Sequence, residues 1–270
     1  MQAAAPRDQT APITSGDPVV ISQRQDHEYA GRMRRTLVVV PAFNEEAAIG
    51  GVLQEIRSAL PHCDVVVVDD GSTDTTSQVA AEHATVARLP FNLGVGGAMR
   101  TGFKYAALHG YDAVVQIDAD GQHDPRQAAA LLAQLDVTDV VIGSRFGPDS
   151  DYLVPRHRKA AMRLLATVVS RVAMTPLTDA TSGFRAHSRR AIHVFAQHYP
   201  CEYLGDTVES LAIARKSGLS VSEVSVTMRA RVTGRASQGS VSSTRYVARV
   251  LLTTALGVVR RWPVTGQLPS

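Results

Sequence analysis

Cysteine is almost missing from this chain, with Cys63 and Cys201 its only two. Two thiols build neither a disulfide framework nor a thiolate metal cluster, so a reducing compartment is the default expectation. Long apolar runs are missing as well. No uninterrupted stretch reaches the ~18 residues of a membrane span, and the N-terminus lacks the basic-then-apolar layout of a signal peptide. A soluble or peripheral protein is expected. A formal net charge of +3 over 270 residues is too small to suggest nucleic acid as a partner. There is no internal repeat and no low-complexity segment. Missing motifs narrow the chemistry further. Gly94-x-Gly96 needs a third glycine at position 99 to read as a dinucleotide fingerprint, and Met99 stands there. No Walker lysine pattern, no Gly-x-Ser-x-Gly elbow and no Cys/His nucleophile arrangement is present.

What is there is an apolar fraction of 44%, ample for a core, in a chain long enough for one large domain with extensions. Residues 1–34 are rich in Ala, Gln, Pro and Asp without periodicity and read as a mobile tail. The ordered domain is expected over 35–240. Buried strands are expected at Thr36–Pro41, Val65–Val68, Val86–Leu89, Ala113–Ile117 and Asp139–Gly143. Helices are expected between them: from the Asn44 N-cap to Leu60, from Thr73 or Asp74 to Glu82, from Ala98 to His109, and from Pro125 to Leu135. Strands alternating with helices at this spacing imply an α/β fold with a mostly parallel sheet. After Phe146 the alternation stops. Helices are expected near 156–174, 188–197 and 204–216, a polar loop at 178–185, a loose strand at 220–228, and a last helix over 244–261.

Every expected strand runs into polar, glycine-containing sequence, which places several loops on the edge where open α/β sheets bind ligands. The central loop is Asp118-Ala119-Asp120-Gly121-Gln122-His123-Asp124-Pro125. Two carboxylates one residue apart repel, and a divalent cation resolves that repulsion. All-oxygen ligands favour Mg²⁺ or Mn²⁺, which also bind phosphate oxygens. Read alone, the same letters also describe an acidic turn. Asp69 and Asp70 suit hydrogen bonds from a base or ribose. The residue types point to a nucleoside-diphosphate ligand held by a metal.

Several stretches together resemble a known family: Pro41-Ala42-Phe43-Asn44-Glu45, Asp69-Asp70-Gly71-Ser72-x-Asp74, Asn92-x-Gly94 and Asp118-x-Asp120-Gly-Gln-His-x-Pro. They are similar to the family-two, GT-A-fold glycosyltransferases, and more narrowly to the branch of dolichyl-phosphate mannose synthase and its bacterial relatives. Ser182-Gly183-Phe184-Arg185, Glu209 with Arg215-Lys216-x-Gly218, Glu223-Val224 and Arg231-x-x-Gly234 carry the narrower likeness. Ser225 replaces the branch's usual Pro, and Gln238 replaces a Lys. The resemblance implies a Rossmann-like, mostly parallel sheet flanked by helices, with a helical and β extension on the acceptor side. It implies an inverting hexosyltransferase that moves sugar from a nucleotide-sugar to a polyprenyl phosphate.

By the same resemblance Asp118, Asp120 and Gln122 hold the metal. Pro41, Asn44, Glu45, Asp69, Asp70, Asn92, Gly94, Asp118 and Ala119 line the nucleotide-sugar pocket. Arg145, Arg185 and Arg231, with Ser182, are expected to receive the acceptor phosphate, because guanidinium forks fit phosphate oxygens. Asp179 is expected to orient the acceptor or serve as a base beside Asp120. Two further classes stay open: a glycosyltransferase for a soluble acceptor, and a degenerate nucleotide-sugar-binding domain without activity. Nucleotidyl transfer expects a Gly-rich signature with Arg and Lys at the first strand, and Pro41–Glu45 does not supply it. Arg229, Arg231, Arg235, Arg245, Arg249, Arg260 and Arg261 accumulate with no acid or Lys between them. That run, with the 241–270 helix and tail, reads as a basic amphipathic element for an anionic membrane surface or as an ordinary packed helix. Peripheral association with the cytoplasmic face of a membrane is the expected location, with room for a homo-oligomer or a membrane-protein partner.

Overall fold

Along the first two strands the apolar residues alternate between two faces. Leu37, Val39, Val66 and Val68 belong to one core cluster, and Val38, Val40 and Val67 to the other. A strand buried on both faces needs this unbroken β-branched composition, and both faces are covered by helices. The computed structural model describes residues 34–146, 166–167, 169–171, 175–201 and 206–229. The expected tail over 1–33, most of the 156–174 helix, Arg231 and the C-terminal helix lie outside the described residues. No described helix is long and apolar enough to cross a membrane.

The described elements are β1 (Thr36–Ala42), α1 (Ile49–Ala59), β2 (Asp64–Asp69), α2 (Thr76–Ala81), β3 (Thr85–Arg88), α3 (Gly94–Leu108), β4 (Ala113–Gln116), a 3₁₀ turn (Pro125–Gln127) leading into α4 (Ala128–Gln134), β5 (Val140–Ser144), β6 (Arg185–Ser188), α5 (Arg189–His198), α6 (Asp206–Lys216) and β7 (Val221–Ser225). They form one seven-stranded sheet in the order β3-β2-β1-β4-β6-β5-β7. β6 alone runs against its neighbours, pairing antiparallel with β4 and β5. Met99 and Phe103 of α3, Phe195 of α5 and Leu211 of α6 fill one face. Ile49, Leu53 and Ile56 of α1 and Leu131 of α4 fill the other.

Three elements differ from the sequence expectation. Asn44 does not cap α1, which begins five residues later. Its backbone sits at φ 55°, and the Glu45 carbonyl accepts the first helical N–H groups, from Ala48 and Ile49. α3 begins at Gly94 instead of Ala98, because the Asp70 carboxylate accepts from the backbone N–H groups of Leu93 and Gly94 and anchors the helix there. β6 is an additional strand between the expected polar loop at 178–185 and the expected helix from 188. Its four residues are short and half polar, so period-two alternation cannot reveal it. Gly218 closes α6: at φ 69° it places the Leu219 N–H on the Ala214 carbonyl at 2.9 Å and its own on Arg215 at 3.1 Å. The glycine of the Arg-Lys-x-Gly motif is therefore a helix terminator.

His187 of β6 is buried edge-on against Phe103, with ring centroids 4.9 Å apart, and its Nδ1 has no hydrogen-bond partner. Burial, reinforced by Arg185, pushes its pKa from 6.5 down to about 3. The folded value lies below the unfolded one, so stability is complete above pH 6.5 and is lost as pH falls from there toward 3. Urea unfolding should show a loss of about 2 kcal/mol between pH 7 and pH 5, reduced in His187→Gln. A flat profile over that range would contradict the burial of a neutral imidazole.

Candidate functional site

Because β1, β2, β3, β4, β5 and β7 share a direction, their carboxyl ends meet at one edge. The antiparallel β6 starts at that edge, which brings Ser182–Arg185 there too. Pro41 and Ala42 end β1 as buried residues. The next loop is clasped to the loop after β2. Asn44 N–H donates to Ser72 Oγ at 2.9 Å, and Asn44 Oδ1 accepts from Thr73 N–H at 2.9 Å. Glu45 N–H donates to Thr76 Oγ1 at 2.9 Å.

Asp69 and Asp70 are buried, at 0% and 3% exposure. Asp69 accepts from Ser72 N–H at 2.9 Å and from the Ser77 hydroxyl, with Arg88 Nε 3.6 Å away. Asp70 holds Leu93 and Gly94 N–H at 2.7 Å each, and Asn92 Oδ1 accepts from Gly94 N–H at 3.0 Å. Burial raises the Asp70 carboxyl pKa, opposed by those two backbone bonds. Both carboxylates brace the loops at this edge. The expected role as open acceptors for base or ribose is narrowed, since their oxygens are engaged first by the fold.

The loop after β4 carries the carboxylate pair. Asp118 Oδ1 accepts from Gln116 Nε2 at 2.9 Å, and its side chain is one-third exposed. Asp120 is buried and accepts from Gln122 N–H at 3.0 Å and Gln122 Nε2 at 2.6 Å. His123 is also buried. It stacks on Phe184 with centroids 4.9 Å apart, and its Nδ1 accepts from Asp118 N–H at 3.0 Å. That bond assigns the ring proton to Nε2, which lies 3.7 Å from Asp118 Oδ2. His123 is thus a staple of the loop. The chain after β7 is strapped beneath the same loop. Arg229 N–H donates to the Gln122 carbonyl at 2.9 Å, and Gln127 exchanges two bonds with the Thr227 backbone. Arg229 also pairs with Glu55 at 2.7 Å and Asp124 at 3.1 Å, with its side chain one-third exposed.

Among the described residues no cluster of three His, Cys, Asp or Glu side chains is arranged for a metal. The expected donor set, two carboxylates and the Gln122 amide, would suit a hard cation that takes its remaining ligands from phosphate and water, as Mg²⁺ does.

On the other half of the edge, Arg145 and Asp179 form a fork. Arg145 Nε meets Asp179 Oδ2 at 2.5 Å, and its second donor meets Oδ1 at 2.7 Å. Burial alone would raise the Asp179 pKa, but Arg145 outweighs it and holds the carboxyl below the usual range. Arg185 corrects its sequence assignment. It is 1% exposed and donates to the carbonyls of Ala180, Ser182 and Thr207 and to Ser210 Oγ, at 2.8 to 3.0 Å. Its guanidinium ties β6 to α6 and is not presented to an acceptor. Ser182 is buried too, its Oγ accepting from Phe184 N–H at 3.3 Å. Glu209 lies half-buried on α6. Glu223, marked in the sequence only by its place in the Glu-Val motif, holds the 178–179 turn. A separate cavity of about 560 Å³ opens at the amino ends of β1, β2 and β3, among Arg57, Asp64, His83 and Tyr105, away from all of these groups.

A doubly covered parallel sheet with an Asp-x-Asp turn and acidic, glycine-bearing loops at its carboxyl edge defines a GT-A glycosyltransferase. The chain belongs to glycosyl transferase family 2, whose model matches residues 37–195. It is 31% identical to undecaprenyl-phosphate mannosyltransferase of Micrococcus luteus, over 84% of this chain and 96% of that protein. It is 30% identical to polyprenol monophosphomannose synthase of Mycolicibacterium smegmatis, over 87% and 89%. The fold is similar to glucosyl-3-phosphoglycerate synthase of Mycobacterium tuberculosis, solved with Mn²⁺ and UDP, at a TM-score of 0.61 and 24% identity over 89% of this chain and 86% of that one.

Two substitutions separate the site's parts. A Cβ on Gly183 would stand 2.9 Å from Asp118 Oδ2 and 3.0 Å from Gln116 Nε2. Gly183→Ala should therefore cut transfer about 100-fold by displacing Asp118, with the melting temperature little changed. Arg185→Ala should instead destabilise the fold by about 3 kcal/mol or more in urea unfolding. A stable Arg185→Ala protein with weakened acceptor binding would return Arg185 to the acceptor site.

Proposed function

We propose that this enzyme transfers a glycosyl group, with inversion, from a nucleoside-diphosphate sugar to the phosphate of a polyprenyl phosphate, using Mg²⁺ or Mn²⁺. The observation that carries the reading is the Arg145–Asp179 fork. A hydroxyl acceptor must lose a proton as it attacks, so it needs a general base. Asp179 is a poor base here, with both oxygens on Arg145 and its pKa lowered. A phosphomonoester arrives as an anion and needs positioning and charge compensation instead. Both are what a clamped guanidinium offers. The names of the two relatives agree with a polyprenyl-phosphate acceptor.

Pro41, Asn44, Glu45, Asn92, Gly94 and Ala119 line the nucleotide-sugar pocket, framed by Asp69 and Asp70. Asp118, Asp120 and Gln122 hold the cation, with Gln116 and His123 fixing Asp118. A bound Mg²⁺ or Mn²⁺ neutralises the leaving nucleoside diphosphate as a Lewis acid. Arg145, supported by Asp179, directs the acceptor phosphate oxygen to the anomeric carbon, with Arg231 as a second cation. The new carbon–oxygen bond forms as the bond to the diphosphate breaks, and the diphosphate keeps the electron pair. A lipid-borne acceptor places the enzyme peripherally at the cytoplasmic face of a membrane.

Labelled nucleotide-sugars offered with polyprenyl phosphate in detergent test this directly. Product should form with Mn²⁺ or Mg²⁺, vanish in EDTA, and fall by about 100-fold or more in Asp120→Ala. Transfer to a soluble hydroxyl or phosphate acceptor with none to polyprenyl phosphate would overturn the acceptor assignment.

A further inference from the structure

Behind the Arg145–Asp179 fork stands a third group that the reaction itself does not use. Glu223 lies on β7, in register with Ile142 of β5, three residues before Arg145. Its Oε2 accepts from Thr178 N–H at 2.7 Å and from Thr178 Oγ1 at 2.9 Å. Its Oε1 accepts from Asp179 N–H at 2.8 Å. One carboxylate therefore spans two consecutive backbone amides of the turn that carries Asp179. Thr178 Oγ1 also meets Ser144 Oγ at 2.6 Å, which closes the turn onto the end of β5. From there Asp179 grips the Arg145 side chain and also accepts from Arg145 N–H at 3.2 Å, and Arg145 reaches Thr181 Oγ1 at 2.7 Å.

We propose that Glu223 is a positioning residue for the acceptor side, setting the direction of the Arg145 guanidinium through the Thr178–Asp179 turn. The inference rests on reading Arg145 as the acceptor-phosphate cation. The physical reason is directional. Arg145 belongs to the irregular chain just after β5, and its side chain is aimed by its bonds to Asp179 and Thr181. A guanidinium aims two donors in parallel only if the carboxylate facing it is itself held. Asp179 is held because both amides of its turn end on one side chain planted in the sheet. Charge favours the same arrangement. Glu223 satisfies N–H and hydroxyl donors and leaves Asp179 as the carboxylate paired with Arg145.

Glu223→Gln tests this with little change of shape. Its amide has one carbonyl oxygen, so one of the two backbone N–H groups must face an NH₂ group and the clamp opens. The first readout is the Nε–H signal of Arg145 in nitrogen-15 NMR of the full chain. It should exchange slowly with water in the wild type, and shift and exchange faster in Glu223→Gln. The second is kinetic: kcat/KM for polyprenyl phosphate should fall about 10-fold while KM for the nucleotide-sugar stays within about two-fold. In an Arg145→Ala background, Glu223→Gln should cost nothing more. An unchanged Arg145 signal, equal losses for both substrates, or additive losses in the double variant would overturn the proposal. A wild-type enzyme inactive on polyprenyl phosphate would sink the acceptor reading, and the Arg145 signal would still decide the role of Glu223.

Discussion

Negative charge gathered at one edge of the sheet is the constraint that the rest of the structure answers. Parallel strands deliver their last residues to the same edge, and five of those residues or their neighbours are aspartates: Asp69, Asp70, Asp118, Asp120 and Asp179. Uncompensated carboxylates at such spacing repel, most strongly where water is excluded. Each pair is handled differently. Asp69 and Asp70 are neutralised in effect by backbone N–H groups and hydroxyls, and so become scaffold. Asp179 is matched by Arg145 and so becomes the holder of a cation. Asp118 accepts from the Gln116 amide and Asp120 from the Gln122 amide and backbone N–H, and Asp118 keeps a solvent-facing side.

The two halves of the edge are physically continuous. The segment after β7 returns under the metal loop through Thr227 and Arg229, while Glu223 of β7 itself holds the acceptor turn. One strand and the segment after it therefore brace both the 178–179 turn and the Asp118–Asp124 loop. β6 connects them at another level, since Gln116, which steadies Asp118, pairs in register with Arg185. Gly183 lies between them, where a Cβ would stand 2.9 Å from Asp118 Oδ2 and push that carboxylate aside.

Much of this was legible in the sequence, and the reasons are local. Apolar runs such as Val65–Val68 have one reading once both faces are buried, and the polar residues that follow mark the ligand edge. The Asp118–Pro125 turn was legible because its chemistry is written in consecutive residues. What stayed hidden depends on contacts distant in sequence. Arg185 looks like any phosphate-binding arginine until α6 supplies Thr207 and Ser210 around it. Asp179 looks like a base until Arg145, 34 positions away, takes both its oxygens. Asn44 looks like a helix cap until the β2 loop claims its side chain. Glu223 is an ordinary strand acid until the 178–179 turn folds onto it.

The central claim is that Asp118 and Asp120 form a cation site completed by a diphosphate. Its most direct test is titration of Mn²⁺ by electron paramagnetic resonance, with and without nucleoside diphosphate. The account predicts weak Mn²⁺ binding alone, tight binding once the diphosphate is added, and loss of that gain in Asp118→Asn. Diphosphate binding that ignores Mn²⁺, or Mn²⁺ binding unaffected by Asp118→Asn, would contradict it.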